Sequence, residues 1–256
     1  MGTIVSKYKA VDQDSDIAAY AIIPESEHFQ INNGTGIIQI KKQIDYEETQ
    51  ELTFTIYAFD SGVPQLNATA TVNVKVININ DNDPVFSAPS YNASVHENSP
   101  NGTFVARVKA TDGDSGDFGK ITYTLTGEHS GNFEIGSESG VITVANSGFL
   151  DHEVVQEVVV QVVASDGAPN NVKRSATVPV NVKILDVNDN KPKFNQSEYN
   201  VTVIENVRLN PPVPLLQVNA TDEDSGINGN IHYEISGGND RGEFEEIREV
   251  DWGGIG

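Results

Sequence analysis

Cysteine is absent from the 256 residues, so neither a disulfide framework nor thiol chemistry is available, and the redox compartment leaves no trace in the composition. Basic residues are scarce. Sixteen Lys and Arg stand against 37 Asp and Glu, a formal charge of −21, which argues against nucleic acid or an anionic membrane surface as partner. No run reaches the roughly 18 apolar residues of a membrane-spanning helix. Met1-Gly2-Thr3-Ile4-Val5-Ser6-Lys7 is too short and too polar for a secretory signal. No stretch carries a capped apolar stripe of helical period.

Catalytic signatures are missing as well. The five histidines, His28, His96, His129, His152 and His232, have no zinc spacing, and His152-Glu153 lacks the second histidine of a zincin. No Gly-X-Ser-X-Gly elbow, dinucleotide loop or phosphate-binding loop occurs. Asp151 and Glu153 could form a glycosidase pair, but they sit in a phrase that repeats, and repeated sites are structural more often than catalytic. The expectation is a protein that is not an enzyme.

What the chain does contain is acid arranged in copies. Asn78-Ile79-Asn80-Asp81-Asn82-Asp83-Pro84 returns as Asp186-Val187-Asn188-Asp189-Asn190-Lys191-Pro192, the step from Asp81 to Asp189 being the length of one β-domain. Asp12-Gln13-Asp14-Ser15 recurs as Asp112-Gly113-Asp114-Ser115-Gly116 and again as Asp222-Glu223-Asp224-Ser225-Gly226. Ile44-Asp45-Tyr46-Glu47 matches Leu150-Asp151-His152-Glu153, and Ala58-Phe59-Asp60 matches Ala164-Ser165-Asp166, both pairs at one and the same separation. Four signatures in one order at nearly one period indicate duplicated domains.

Between the signatures the pattern is that of strands. Ala70, Val72, Val74 and Val76 alternate with polar residues, as do Val178, Val180, Val182 and Ile184, and Leu52 to Ile56 follow the same period of two. Val158 to Ala164 is nearly continuous apolar and reads as a core segment. Pro179 favours an edge strand or a bulge at its position. Short strands separated by Gly, Asn, Asp and Pro point to an all-β fold, a tandem array of Greek-key (Ig-like) β-sandwiches of about 100 residues each. The expected repeats are residues 1–82, 83–190 and 191–256, the first and third incomplete. The first lacks an opening strand, and the third departs from the pattern after Phe244, in the tail Glu245–Gly256.

Oxygen ligands crowded on a short segment, without sulfur or histidine, select a hard cation such as Ca²⁺. An isolated Asp-X-Asp-Ser-Gly turn would more often only cap backbone amides, but the matched signatures favour ligation. An EF-hand is excluded, since Tyr123 and Tyr233 occupy the twelfth position counted from Asp112 and Asp222, where a bidentate Glu is required. Seven Asn-X-Ser/Thr sequons, at Asn33, Asn67, Asn92, Asn101, Asn195, Asn200 and Asn219, suit an extracellular surface carrying glycans.

In combination these motifs resemble the extracellular repeats of the cadherin superfamily, of the Fat, Dachsous and protocadherin kind, over essentially residues 3 to 235. The resemblance implies calcium ions between successive repeats. At the second junction it implies Glu97, Asp151, Glu153, Asp186, Asn188, Asp189, Asp222 and Asp224 as ligands, with carbonyls of Val187, Asn190 and Asn228. At the first it implies Asp45, Glu47, Asn80, Asp81, Asp112, Asp114 and Asp166, with the carbonyl of Asn82. There Asn78 stands where the second junction has Asp186, Phe118 replaces an Asn that offers a carbonyl, and no counterpart of Glu97 exists. The first junction is therefore expected to be the weaker. Thirteen of the 37 acids fall in these sets.

The resemblance further implies calcium-dependent cell–cell adhesion at the extracellular side of the plasma membrane. The parent protein would be membrane-anchored and this chain a fragment of it, the partner being a cadherin-like protein on the same or an opposing cell, homophilic or heterophilic. Strand-swap adhesion through an N-terminal tryptophan is not expected, since the only Trp is Trp252. Two alternatives share the repeats: a receptor ectodomain for a soluble or heterophilic ligand, and an accessory module of a secreted hydrolase. The third segment is expected to be the least stable.

Overall fold

A computed structural model of the chain describes residues 4–7, 9–13, 16–205 and 214–242. Asp14, Ser15, Phe244, Trp252 and the tail Glu245–Gly256 lie outside the described residues. Six strands form first: β1 (Ile4–Lys7), β2 (Ile17–Ile22), β3 (Phe29–Ile31), β4 (Ile37–Ile40), β5 (Glu51–Asp60) and β6 (Asn67–Lys75). They make two three-stranded sheets, ordered β1-β4-β3 and β2-β5-β6. Phe29 and Ile38 of the first sheet close on Phe54, Ile56 and Val72 of the second, with the Phe29 and Phe54 rings 4.8 Å apart. Two amphipathic sheets sharing one apolar interior make the sandwich that the alternating pattern predicts.

Nine strands follow: β7 (Val85–Phe86), β8 (Tyr91–His96), β9 (Phe104–Arg107), β10 (Ala110–Thr111), β11 (Thr122–Thr126), β12 (Phe133–Ile135), β13 (Val141–Val144), β14 (Glu157–Ser165) and β15 (Ser175–Leu185). Their sheets run β11-β14-β15-β8 and β12-β13-β9, with β10 paired to β7. β8 lies parallel to β15, in a register from Val180↔Tyr91 to Leu185↔His96. Beyond these, β16 (Lys193–Phe194) pairs with β17 (Ala220–Thr221). The fold is all-β, a tandem series of β-sandwich repeats.

Two readings of single strands need correction. The apolar run of β14 is buried on one face only: Val158, Val160, Val162 and Ala164 are inside while Val159 is exposed. Pro179 does not sit on an edge strand, because β15 has β14 on one side and β8 on the other, and the β8–β15 register runs without a bulge. It is tolerated on that side because pairing with β8 begins one residue later, at Val180, so no bond of that ladder needs its missing N–H.

The chain divides into two compact units that cut across the sequence repeats. One draws on Met1–Ala88, Val108–Thr124 and Val163–Thr177, the other on Pro89–Arg107, Leu125–Val162 and Val178–Gly256. Each unit holds one whole acidic linker together with the loops around it. A repeated tie anchors the residue two positions before Asp12, Asp112 and Asp222: Ala10, Ala110 and Ala220 donate their backbone N–H groups to the hydroxyls of Tyr20, Tyr123 and Tyr233, at 3.2, 2.7 and 3.0 Å. This role explains the tyrosine that follows each of the three turns, and it fixes where Asp112 and Asp222 begin theirs.

Candidate metal centres

The Asp-X-Asp turn forms for a local reason. Asp112 Oδ1 accepts the N–H of Asp114 at 2.9 Å, and Asp222 Oδ1 that of Asp224 at 3.0 Å, the side-chain-to-backbone closure that favours Asp in turns. Further along each loop stands a glycine with no room for a side chain. A Cβ on Gly119 would lie 1.9 Å from the carbonyl oxygen of Asp114, and one on Gly229 2.2 Å from that of Asp224. The two loops are thereby folded tightly under the second aspartate.

Onto that aspartate the linker is fastened in the same way twice. Asn82 donates its backbone N–H to Asp114 at 3.2 Å and its side-chain amide to both Asp114 and Asp81 at 3.1 Å. Asn190 donates its backbone N–H to Asp224 at 3.3 Å and its side-chain amide to Asp224 and Asp189 at 3.0 Å. The asparagine thus draws two carboxylates together instead of letting them repel. The result is two matching triads, Glu47, Asp81 and Asp114 in one unit and Glu153, Asp189 and Asp224 in the other. Their carboxylate oxygens lie within 4.8 Å of one another.

The second linker holds a further triad, Glu97, Glu153 and Asp186. Glu97 is 2% exposed and is pinned by two amides, Val187 N–H at 2.6 Å to Oε1 and His152 N–H at 2.7 Å to Oε2. Asp186 accepts from Ser225 N–H at 3.3 Å and from the Asn228 side chain at 2.8 Å. An open cleft of about 250 Å³ here has Glu97, Asp151, Glu153, Asp189 and Glu223 among its lining residues. At the first linker the Asp186 position is Asn78, which donates to the Ser115 carbonyl at 3.0 Å, and no second triad forms among the described residues.

Several named residues also make hydrogen bonds within their own loops. Asp45 and Asp151 cap their own turns, accepting from Glu47 N–H at 2.8 Å and Val154 N–H at 3.1 Å. Asp166, fully buried, accepts from Ala168 N–H, Arg174 N–H and the Asn80 side chain at 2.9, 2.8 and 2.8 Å. Phe118 is half-buried. Asn188 and the carbonyls of Val187, Asn82, Asn190 and Asn228 belong to the same loops, but Val187 and the three asparagines act here through N–H groups. All seven sequon asparagines are exposed.

The electrostatics show what the clusters lack. Glu153 is raised above its ordinary pKa, first by burial and then by Glu97, Asp151 and Asp189. Glu47 is raised by burial and by Asp114, Asp45 and Asp81, and Asp112 by burial and by Asp114, Asp166 and Asp83. For Asp166 and Asp186 burial also pushes upward, but hydrogen bonds outweigh it and hold both low, from Asn80 and backbone amides in one case and from Asn228 and Ser225 in the other. Asp112 Oδ2, Glu153 Oε1, Asp224 Oδ2, Asn78 Oδ1 and Asn80 Oδ1 are buried without a hydrogen-bond partner. Among the described residues none of the thirteen acids pairs with Lys or Arg. Orphaned oxygens in unneutralised carboxylate clusters fit an oxygen-preferring divalent cation.

Three contributors escaped the sequence reading. Asn98, in the left-handed region at φ 56°, donates its side-chain amide to Asp189. His152 places Nδ1 2.8 Å from the Ile184 carbonyl, so that nitrogen carries the proton, and Nε2 lies 3.2 Å from Ser225 Oγ. Arg174 joins the first linker, with Nη1 2.7 Å from Asp83 and Nε donating to the Asn80 carbonyl at 3.1 Å. A repeated Glu-Asn pair, Glu97-Asn98 and Glu205-Asn206, was the signal available for Asn98.

The family model of the cadherin domain matches residues 1–77 and 91–185. The chain belongs to the cadherin family. Cadherin-87A of Drosophila melanogaster is 46% identical over 245 residues, which cover 96% of this chain and 12% of that protein. The Fat-like cadherin-related tumor suppressor homolog of the same organism is 35% identical over 249 residues, 95% of this chain and 5% of that protein. This cadherin chain thus spans a small part of such relatives. The crystal structure of mouse cadherin-23 EC22-24 superposes with a TM-score of 0.78 at 33% identity, covering 89% of this chain and 74% of that one. Its relatives are cadherins, and the chain is not an enzyme.

Proposed function

We propose that this cadherin chain is part of an extracellular, calcium-dependent cell–cell adhesion ectodomain. Its repeats, residues 1–82, 83–190 and the segment from 191, are stiffened at two acidic linkers. The observation that carries the reading is the duplicated geometry: Asn82 and Asn190 each gather two aspartates around a glutamate from another loop, with buried, unpaired carboxylate oxygens on Asp112 beside the first triad and on Glu153 and Asp224 in the second. A bound calcium ion supplies two positive charges and oxygen coordination there. At the second linker Glu97, Glu153, Asp186, Asp189 and Asp224 are the ligands proposed first, with Asp151, Asn188, Asp222 and the carbonyls of Val187, Asn190 and Asn228 around them. At the first, Glu47, Asp81 and Asp114 are supported by Asp45, Asn80, Asp112, Asp166 and the carbonyl of Asn82.

The chain's own residues convert ion binding into stiffness. The ligands come from separate segments, so an assembled linker offers a complete set and an opened one does not. Binding free energy then appears as stability of the joint. Like charges gathered this closely repel, which loosens the joints when no cation is present to offset the repulsion. The exposed sequons would carry glycans, the parent protein would be anchored in the membrane, and a cadherin-like protein on the same or an opposing cell would be the partner. Small-angle scattering and thermal melting in millimolar calcium and in chelator test this. A more extended particle and a higher Tm in calcium are expected, and identical curves in both conditions would refute it.

A further inference from the structure

Phe54 and Ile56 of β5 and Val72 of β6 point into the first sandwich. Strand alternation therefore puts Tyr57, Phe59, Asn67 and Thr69 on the opposite, outer face. There Phe59 pairs with Asn67 and Tyr57 with Thr69. Asp60 donates its backbone N–H to the Leu66 carbonyl at 3.1 Å, which makes the adjacent Phe59 and Asn67 a non-hydrogen-bonded pair, the kind whose side chains stand closest. On the other flank of the two aromatics β2 places only Ala19 and Ala21. The rings of Tyr57 and Phe59 are 6.1 Å apart and within 15° of parallel. They form an apolar strip on a face otherwise carrying Thr53, Thr55, Thr69 and Thr71.

Asn67-Ala68-Thr69 is one of the seven sequons. Asn67 is exposed, and its side chain makes no hydrogen bond among the described residues. Two other sequon residues are engaged: the side-chain oxygens of Asn92 and Asn101 accept from Asn181 and from Ser147 N–H, each at 2.8 Å. The Asn67 amide is free to turn toward Phe59. The second repeat supplies a comparison. The Arg174 carbonyl accepts from Asp166 N–H as the Leu66 carbonyl does from Asp60 N–H, so Asn67-Ala68-Thr69 corresponds to Ser175-Ala176-Thr177, and Tyr57 and Phe59 to Val163 and Ser165. Where the asparagine is replaced, both aromatics are replaced as well. The sequon also lies ahead of the stretch that a repeat's first strand covers, because β8 pairs with β15 only from Val180, the counterpart of Val72.

We propose that the outer face of β5 is a saccharide platform, on which Tyr57 and Phe59 hold the first N-acetylglucosamine of a glycan attached to Asn67. The proposal rests on the reading of the sequons as glycan carriers. In the modification Asn67 Nδ2 bonds to C1 of the sugar, the C1–O bond to the pyrophosphate of a polyisoprenyl-linked oligosaccharide breaks, and an amide proton is released. The sugar then stands one cross-strand step from Phe59, about 5 Å between Cβ atoms, a gap that a single pyranose spans. One face of that pyranose carries only C–H groups, slightly positive, which pack on the negative face of an aromatic ring. Its hydroxyls stay toward water. The sugar covers apolar surface that the sandwich leaves outside and ties β6 to β5.

The test uses the 256-residue chain secreted from animal cells, with its glycans trimmed by endoglycosidase to single N-acetylglucosamines. Glycopeptide mass spectrometry should find Asn67 occupied. NMR of the isotopically labelled sugars should show one set of C–H signals moved upfield by an aromatic ring current and absent from Thr69→Ala, which removes the sequon and keeps Asn67. Phe59→Leu, which keeps apolar bulk without the ring, should return that set to the position of the other sugars. The melting temperature lost in T69A should be larger with Phe59 present than in the F59L background, by about 1–5 °C, the size of one cross-strand pair in a domain of about 100 residues. An occupied Asn67 whose sugar signals are not shifted upfield, or an equal loss in both backgrounds, overturns the proposal and leaves the glycan reading intact. Asn67 bare while other sequons are modified overturns it too. Absence of sugar from every sequon overturns both.

Discussion

Glu97→Gln separates the structural role of the second linker from its metal role. The glutamate accepts two backbone N–H groups while buried. Glutamine keeps one acceptor and turns an NH₂ toward the other amide, leaving a buried donor unsatisfied at a cost of about 1–3 kcal/mol. Loss of the charge works the other way, since Glu97 raises Glu153 and shares a triad with Asp186. Without calcium these effects oppose each other, and the change in Tm should be small. With calcium present the relief disappears. An ion at twenty times its dissociation constant contributes about 1.8 kcal/mol, and tenfold weaker binding leaves about 0.6 kcal/mol. The difference of about 1.2 kcal/mol corresponds to roughly 5–10 °C for a domain of about 100 residues. Calorimetric melting of the variant and the parent sequence, with calcium and with chelator, reads this directly. An equal calcium-induced rise in Tm for both proteins would refute the reasoning.

Further outcomes follow from the same geometry. Glu47, Asp112 and Glu153 hold their protons more tightly than usual, so the ion-free chain should gain stability as pH falls from about 7 toward the carboxylate range. The calcium-loaded chain should lose stability over the same window as protons compete for the ligands. Asp166 and Asp186 act oppositely, but only below the ordinary value of 3.8; melting curves with the same pH slope in both conditions would contradict this. Asn78→Asp should tighten calcium binding at the first linker severalfold while lowering ion-free stability by about 1 kcal/mol through loss of the bond to Ser115, read by titration and melting. Arg174→Gln should change stability little, since its bridge to Asp83 is largely exposed, and should strengthen calcium binding at that linker by removing a cation near Asp81 and Asp114.

Repetition made most of the fold and of the candidate site legible. Val178 to Ile184 and Val72 to Val76 declared their strands by alternation, and the two matching triads assemble acids that recur at nearly one spacing. Residues without a copy stayed hidden. Arg174 corresponds to Leu66 in the first repeat, which bonds Asp60 through its backbone as Arg174 bonds Asp166, and His152 corresponds to Tyr46, so nothing in the pattern marked them, and their partners are set by loop geometry. The roles of Asn82 and Asn190 were half legible: both were named for carbonyls, whereas their side-chain amides draw the aspartates together. Pro179 misled because its cost depends on where β8 starts to pair, a matter of register rather than composition.

Calcium titrated calorimetrically into the 256-residue chain, with Asp224→Asn and Asp114→Asn as the linker-specific variants, addresses the two acidic linkers most directly. Saturable binding with dissociation constants of about 10⁻⁴–10⁻³ M is expected, the tighter class lost in D224N and the weaker in D114N. Absence of binding through the millimolar range, or binding unaltered by both substitutions, would contradict it.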